Sequence, residues 1–347
     1  MRPLRILITT VGGLISPDLI AALKNNGERE VFIVGVDSFE AAVGRYFVDE
    51  FVQVVFSGDD EEAFVEGIKE IIAKKRIDIV VPCGNEDNLA LAKHRDDLKA
   101  KVLVNQYDHL LCAFDKAEVY QLLAQTLPQT APKYFVVRNY QQFQNAIDEL
   151  GFPQKKVVVK PAMGRGGRGV YILRGQFDAR SVFSEKPTQE MPLEFFERLL
   201  KGPSEFEELI VMEHLDPPFF SVYSLIDEAK KTRIALTHIR EWGNASQTFR
   251  GLVYHDDKLE KLADEINRAF HLCYTSNMEL ATATDGRVVL FDLNPRLGAS
   301  SGVDQSIGLN FPYLAVKTLL HEPYDVDKGK FAKQRRFVRY FEKVWTE

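Results

Sequence analysis

In the first third of the chain, short runs of consecutive apolar residues alternate with longer stretches in which apolar positions recur every three or four residues. The runs LRILITT (4–10), VFIVGVD (31–37), IDIVVPC (77–83) and KVLVN (101–105) are rich in β-branched residues and predict buried strands. Between them, SPDLIAALKNNG predicts a helix with Ser16 as its cap, Pro17 in first position and Gly27 past its end. EEAFVEGIKEIIAKK predicts a second helix. Strands alternating with amphipathic helices imply right-handed βαβ units and a parallel sheet covered on both faces, and this unit is expected to close near residue 112.

Beyond it the rhythm changes. DKAEVYQLLAQTLPQTAPKYFVV predicts helix, turn and strand, and YQQFQNAIDELGFP a further helix leading into the hairpin VVVKPAMGRGGRGVYIL, residues 157–173. Residues 175–207 are irregular, with a short helix in LEFFERLL, and are expected to form an insertion or lid. LIVMEHLDPPFFSVYSLID reads as strand, bend and strand, and RIALTHIREWGNASQTFRG continues an antiparallel pattern. KLEKLADEINRAFHL is an amphipathic helix, two strands follow on either side of Asp285-Gly286, and RRFVRYFEKVW offers a last strand. The expectation is an α/β domain followed by an α+β one.

With 347 residues, 45% of them apolar, two or three packed domains are expected. The net charge is −6 and Lys and Arg are dispersed, which argues against nucleic acid or an anionic membrane and leaves small molecules as partners. No apolar run approaches the roughly 20 residues of a membrane span, and the start MRPLRILITTVGG carries no signal-peptide cleavage site, so the expected location is cytoplasmic. Cys83, Cys112 and Cys273 stand apart without CxxC spacing, indicating neither a zinc site nor a disulfide framework.

Candidate chemistry gathers in two stretches. In the hairpin at 157–173, Gly164, Gly166, Gly167 and Gly169 exceed what a turn needs, and their bare N–H groups suit closure around an anion. Lys160 at the end of the preceding strand favours phosphate over the alternative of a flexible linker. In NMELATATDGRVVLFDLNPRLGASSG, residues 277–302, one strand carries Glu279 and the next Asp292 and Asn294. Two carboxylates and an amide oxygen suit magnesium, which keeps waters and shares phosphate oxygens with a substrate. Acids beside a hairpin are otherwise merely solvated, but Asp292 emerges from the apolar run VVLF. Asp37 sits where a dinucleotide fold places its ribose carboxylate, yet VGGLIS lacks the spaced GxGxxG, so a strand-end or substrate-pocket role is expected.

Taken in order, Asp115-Lys116, Lys160-Pro161 with its glycine loop, MEHLDPPFFSV at 212–222, Glu279 and Asp292-Leu293-Asn294-Pro295-Arg296 resemble the ATP-grasp superfamily. Within it the chain is most similar to the carbamoyl phosphate synthetase large-subunit and biotin carboxylase type of ligase, over essentially its whole length. The resemblance implies a Rossmann-like parallel-sheet domain over 1–112, a small grasp lobe with a glycine-rich lid over 113–205, and a large lobe with the metal site over 206–347. It implies that Lys116 and Lys160 meet the α- and β-phosphates of ATP, that Gly164, Gly166, Gly167 and Gly169 fold over the β- and γ-phosphates, and that the backbone of Glu213, His214 and Leu215 holds adenine at a hinge. Glu279, Asp292 and Asn294 would hold Mg2+, with Mn2+ able to replace it. Arg296, with Arg240 beside the acceptor, would stabilise charge on the transferring group.

Three departures from the family pattern stand out. Phe219 occupies the place of a ribose-binding Glu, leaving Asp216 as its substitute. Asp292 stands where relatives often carry Glu, and His238-Ile239-Arg240 only partly resembles a biotin carboxylase His-x-Lys, so that His238 reads equally as a partly buried strand residue. The implied activity is a carboxylate–amine ligase acting through an acyl phosphate, on a small carboxylate and an amine or other nucleophile, and the relation allows a homodimer. Phosphoryl transfer without ligation, and nucleotide binding without catalysis, are the alternatives. The acceptor is expected at the loops after strands 4–10 and 77–83, where open α/β sheets bind ligands, with Glu86 and Asp87 either reading the substrate or capping a helix.

Overall fold

The computed structural model describes residues 2–164, 167–176, 189–243, 247–326, 334–340 and 342–345. Strands β1 (Leu4–Ile8), β2 (Val31–Asp37), β3 (Glu50–Gln53), β4 (Ile79–Val81) and β5 (Lys101–Val102) pair in parallel in the order β3-β2-β1-β4-β5. Helices α1 (Ser16–Lys24), α2 (Glu61–Lys75), α3 (Asn85–Lys93) and α4 (Tyr107–Phe114) accompany it. The inner strands β1, β2 and β4 bury most of their side chains, as a parallel sheet covered on both faces requires, whereas the edge strand β3 is half-buried. Helix α2 is capped by Asp60, whose carboxylate accepts from Ala63 N, and ends at Arg76 in left-handed conformation. Ser16 is not a cap: Ile15 holds that position, and the Ser16 hydroxyl instead donates to Thr10 O at 3.3 Å.

Next come α5 (Lys116–Thr126), β6 (Tyr134–Val137), α6 (Tyr140–Glu149), β7 (Val157–Pro161), β8 (Tyr171–Leu173), β9 (Glu190–Met191), α7 (Leu193–Leu200) and β10 (Leu209–Glu213). Their sheet runs β6-β10-β7-β8-β9. The hairpin forms as expected, β7 and β8 pairing antiparallel from Val157↔Leu173 to Val159↔Tyr171. The amphipathic helices α6 and α7 close one core over this sheet, with the Phe143 and Phe196 rings stacked 5.7 Å apart. Residues 177–188 of the expected lid lie outside the described residues.

The last group comprises β11 (Asp216–Ile226), β12 (Thr232–Gly243), β13 (Thr248–Tyr254), α8 (Asp257–Ala269), β14 (Tyr274–Thr282), β15 (Val288–Asn294), α9 (Phe311–Leu319) and β16 (Arg335–Val338). Its strands order β15-β14-β11-β12-β13-β16. The chain divides into two compact units that interleave in sequence: residues 1–111, 220–278 and 294–347 form one, and residues 112–219 and 279–293 the other. Among the described residues no helix is long and apolar enough to cross a membrane.

Candidate active site

In the second unit, the predicted lysines meet. Asp115 caps α5, accepting from Ala117 N at 2.8 Å, and so sets Lys116 at the first turn. The Lys116 amide donates to Ala162 O at 3.1 Å, pinning the helix start to the strand that leads into the glycine loop. Its ammonium group donates to Gly164 O at 3.4 Å and stands 3.3 Å from an Asp292 carboxylate oxygen. Lys160 is 5% exposed; its ammonium donates to Tyr120 Oη at 2.8 Å and to Phe291 O at 2.9 Å. Burial, aided by the neighbouring Lys116 charge and opposed by Asp292, pulls its pKa down to about 7.

Tyr120 went unnoticed in the sequence. Fully buried, it donates to Phe291 O at 2.7 Å while accepting from Lys160, and burial with the nearby Asp292 charge raises its phenol. The signal was spacing: Tyr120 follows Lys116 by one helical turn, which puts both on one face of α5.

Glu279 on β14 and Asp292 on β15 are half-buried on neighbouring strands, and Asn294 lies two residues beyond Asp292. No group of three His, Cys, Asp or Glu side chains gathers around a metal position among the described residues. The two carboxylates of the second unit, Glu279 and Asp292, nevertheless fit an ion that takes its remaining oxygens from water and phosphate. Gly164, Gly167 and Gly169 lie in the connection between β7 and β8, Gly167 and Gly169 with left-handed φ of 70° and 71°; Gly166 lies outside the described residues.

The Glu213–Asp216 segment joins β10 to β11. The Glu213 amide already donates to Lys133 O at 3.0 Å, so this N–H is not open to adenine. The Glu213 carboxylate accepts from Lys133 N at 2.8 Å and Arg287 Nη2 at 2.9 Å, fixing the turn from its side. Leu215 is buried, while His214 Nδ1 lies 3.4 Å from exposed Asp216, its pKa lowered by burial. Phe219 packs edge-on to Phe291 at 5.8 Å, which makes it a packing residue.

In the first unit, Arg296 donates from Nε to Asn85 Oδ1 at 2.8 Å and from Nη2 to Asn294 Oδ1 at 3.2 Å. Asn85 opens α3, just past β4, so Arg296 reaches one of the two strand-end loops expected to receive the acceptor. That loop is held by Asp87, which is buried and accepts from the hydroxyls of Thr9 (2.5 Å), Thr10 and Ser57 (2.6 Å). Asp87 therefore organises the strand ends instead of capping α3. Gly84 must be glycine there, because a Cβ would lie 2.8 Å from Thr10 Oγ1. Glu86 sits half-buried in the first turn of α3. Asp37 bonds the turn after β1, accepting from Gly12 N at 2.7 Å and from Phe39 N at 2.9 Å.

Arg240, half-buried on β12, pairs with Gly251 just before a bulge. His238 is the buried strand residue of its two readings: it is 1% exposed, and Nε2 lies 3.0 Å from Asp304, which is wholly buried. The pair belongs to the core of its unit.

Residues 205–344 match a family described as "ATP-grasp in the biosynthetic pathway with Ter operon". The chain is 21% identical over 294 residues to a formate-dependent phosphoribosylglycinamide formyltransferase of Bacteroides fragilis, covering 82% of this chain and 68% of that one. It is 26% identical over 282 residues to a carbamoyl phosphate synthase large chain of Myxococcus xanthus, covering 77% of this chain but only 25% of the relative. The fold is that of the biotin carboxylase domain of a Hydrogenobacter thermophilus 2-oxoglutarate carboxylase, solved as a dimer with magnesium ADP and bicarbonate: TM-score 0.69 at 13% identity, covering 96% and 73% of the two chains. An ATP-grasp family model thus matches residues 205–344, and the chain as a whole shares the fold of that biotin carboxylase domain.

Proposed function

We propose that the protein is an ATP- and magnesium-dependent ligase that activates a small carboxylate as an acyl phosphate and passes the acyl group to an amine. The observation that carries this reading is the convergence of Lys116, Lys160 and Asp292 within one unit: two ammonium groups and a carboxylate beside a glycine-rich turn. Such a set can bind and neutralise a polyphosphate. A formate-dependent relative, and a structural neighbour holding magnesium ADP and bicarbonate as a dimer, support the carboxylate, the metal and a homodimer here.

In this reading Lys116 and Lys160 orient the α- and β-phosphates, and the N–H groups around Gly164, Gly167 and Gly169 face the β- and γ-phosphates. Glu279, Asp292 and Asn294 would hold Mg2+, which when bound supplies positive charge to the phosphate oxygens. The acceptor carboxylate oxygen attacks the γ-phosphorus as ADP leaves. The amine nitrogen then attacks the acyl carbon, phosphate departs and the amine gives up a proton. Arg296, held by Asn85 and Asn294, is preorganised to stabilise the negative charge that builds on the acyl phosphate.

The test is an incubation with ATP, magnesium and pools of carboxylic acids and amines, following ADP. Release that needs both an acid and an amine is expected, and it should fall by orders of magnitude in Glu279→Gln and Asp292→Asn while both variants stay folded. ADP release with a stable phosphorylated product and no amine, or near-normal turnover in either variant, contradicts the reading.

A further inference from the structure

The first unit contains a cleft of about 430 Å³ that the proposed reaction does not use. It lies by the first residue of β5, which pairs with the first residue of β4, whereas Thr10 and Asn85 follow the C-terminal ends of β1 and β4. Arg95, Lys101 and Lys230 line it, against one carboxylate, Glu228. Neither lysine is neutralised by an acid among the described residues: Lys101 donates to Leu319 O at 3.1 Å and Lys230 to His271 O at 2.9 Å. Arg95 pairs with Asp96, at 3.7 Å, whose side chain is almost fully exposed. Glu228 is itself engaged, accepting from Tyr274 Oη at 3.0 Å.

Helix ends explain part of this, since Leu319 closes α9 and His271 follows α8, and cations favour such termini. They do not explain why three cations face a common open space in a protein whose net charge is −6. The backbone around it is also unusual: Lys230, Tyr274 and His321 all line the cleft with left-handed φ of 63°, 65° and 58°. Lys230 takes this conformation in the β11–β12 turn and His321 just past α9, where such turns favour it, while Tyr274 centres a strained three-residue turn in which Thr275 N donates to Cys273 O at 2.9 Å.

We infer that this cleft binds a small multiply charged oxyanion, a phosphate or carboxylate compound, as a site separate from the nucleotide-binding lysines. The anion would accept from Lys101, Lys230 and Arg95 together, the planar guanidinium giving it orientation.

The experiment is calorimetric titration of the whole chain, without metal and at fixed ionic strength, with pyrophosphate in one arm and tricarballylate in the other. The arm that binds identifies the group recognised. Lys230→Gln, which keeps a donor for His271 O, and Lys101→Gln should each weaken binding about ten-fold, as loss of one of three converging charges implies. Glu228→Gln should tighten it, an outcome that a purely structural role for these residues does not produce. Lys160→Gln, in the other unit, removes pyrophosphate that binds at the nucleotide lysines and should leave the cleft's own binding, and the tricarballylate arm, unchanged. Melting curves without anion confirm that each variant is folded. Absence of binding in both arms overturns the inference, as does an affinity unchanged in folded Lys230→Gln or lost only in Lys160→Gln.

Discussion

Lys160 links burial to chemistry. An ordinary lysine keeps its proton to 10.5, whereas desolvation and the Lys116 charge bring this one to about 7. Without nucleotide it is therefore largely neutral at pH 8. Phosphate oxygens at its ammonium would restore the proton, so ATP binding should take up close to one proton at pH 8, and ATP affinity should fall as pH rises from about 7 toward 10.5. Calorimetry in buffers of different ionisation enthalpy reads the uptake directly; zero uptake contradicts the assignment of Lys160 to phosphate. Lys160 was legible in the sequence because a lysine closing an apolar strand ahead of glycines has few structural explanations. Tyr120 was not, because a tyrosine among apolar helix positions reads as core until its hydroxyl is seen bridging Lys160 and Phe291 O. For His238 a buried strand position was one of two readings and its burial bears that one out, but its partner Asp304, 66 residues away, was not legible, because no local pattern reveals a buried pair of that span.

At the scale of elements, two short features place the lysines. The Asp115 carboxylate bonds two amides of the first turn of α5, so Asp115→Ala should cost about 1 kcal/mol of stability and weaken ATP binding several-fold as Lys116 loses its seat. Thermal melts and nucleotide titration check this, and an unchanged ATP affinity would show that the cap does not position Lys116. Gly169 has φ +71°, and a Cβ there would lie 2.9 Å from Pro161 Cγ. Gly169→Ala should destabilise the protein by about 1–2 kcal/mol, from the left-handed backbone alone. A variant as stable as the parent would mean the turn readily adopts another path. The strands of the hairpin, β2 and helix α2 were readable because each carries strong periodicity and clear punctuation. Of helix α3 only the start was read, from its first-turn acids Glu86 and Asp87, and α4 was missed because it is a short, mostly apolar run that periodicity leaves ambiguous.

For the whole molecule, the parallel-sheet domain followed by antiparallel sheets was legible from the change of rhythm near residue 112. The interleaving of the two units was not, because it depends on contacts between segments far apart in sequence, such as β13 with β16 in the first unit and Tyr120 with Phe291 in the second. The central claim is that this molecule uses ATP to activate a carboxylate, and oxygen transfer tests it most directly. With the acid found in the pool assay labelled with 18O in its carboxylate, turnover with ATP, magnesium and the amine should place one 18O in each inorganic phosphate released, because the oxygen that attacks the γ-phosphorus leaves with it. Unlabelled phosphate, released at the same rate as product, would contradict the account.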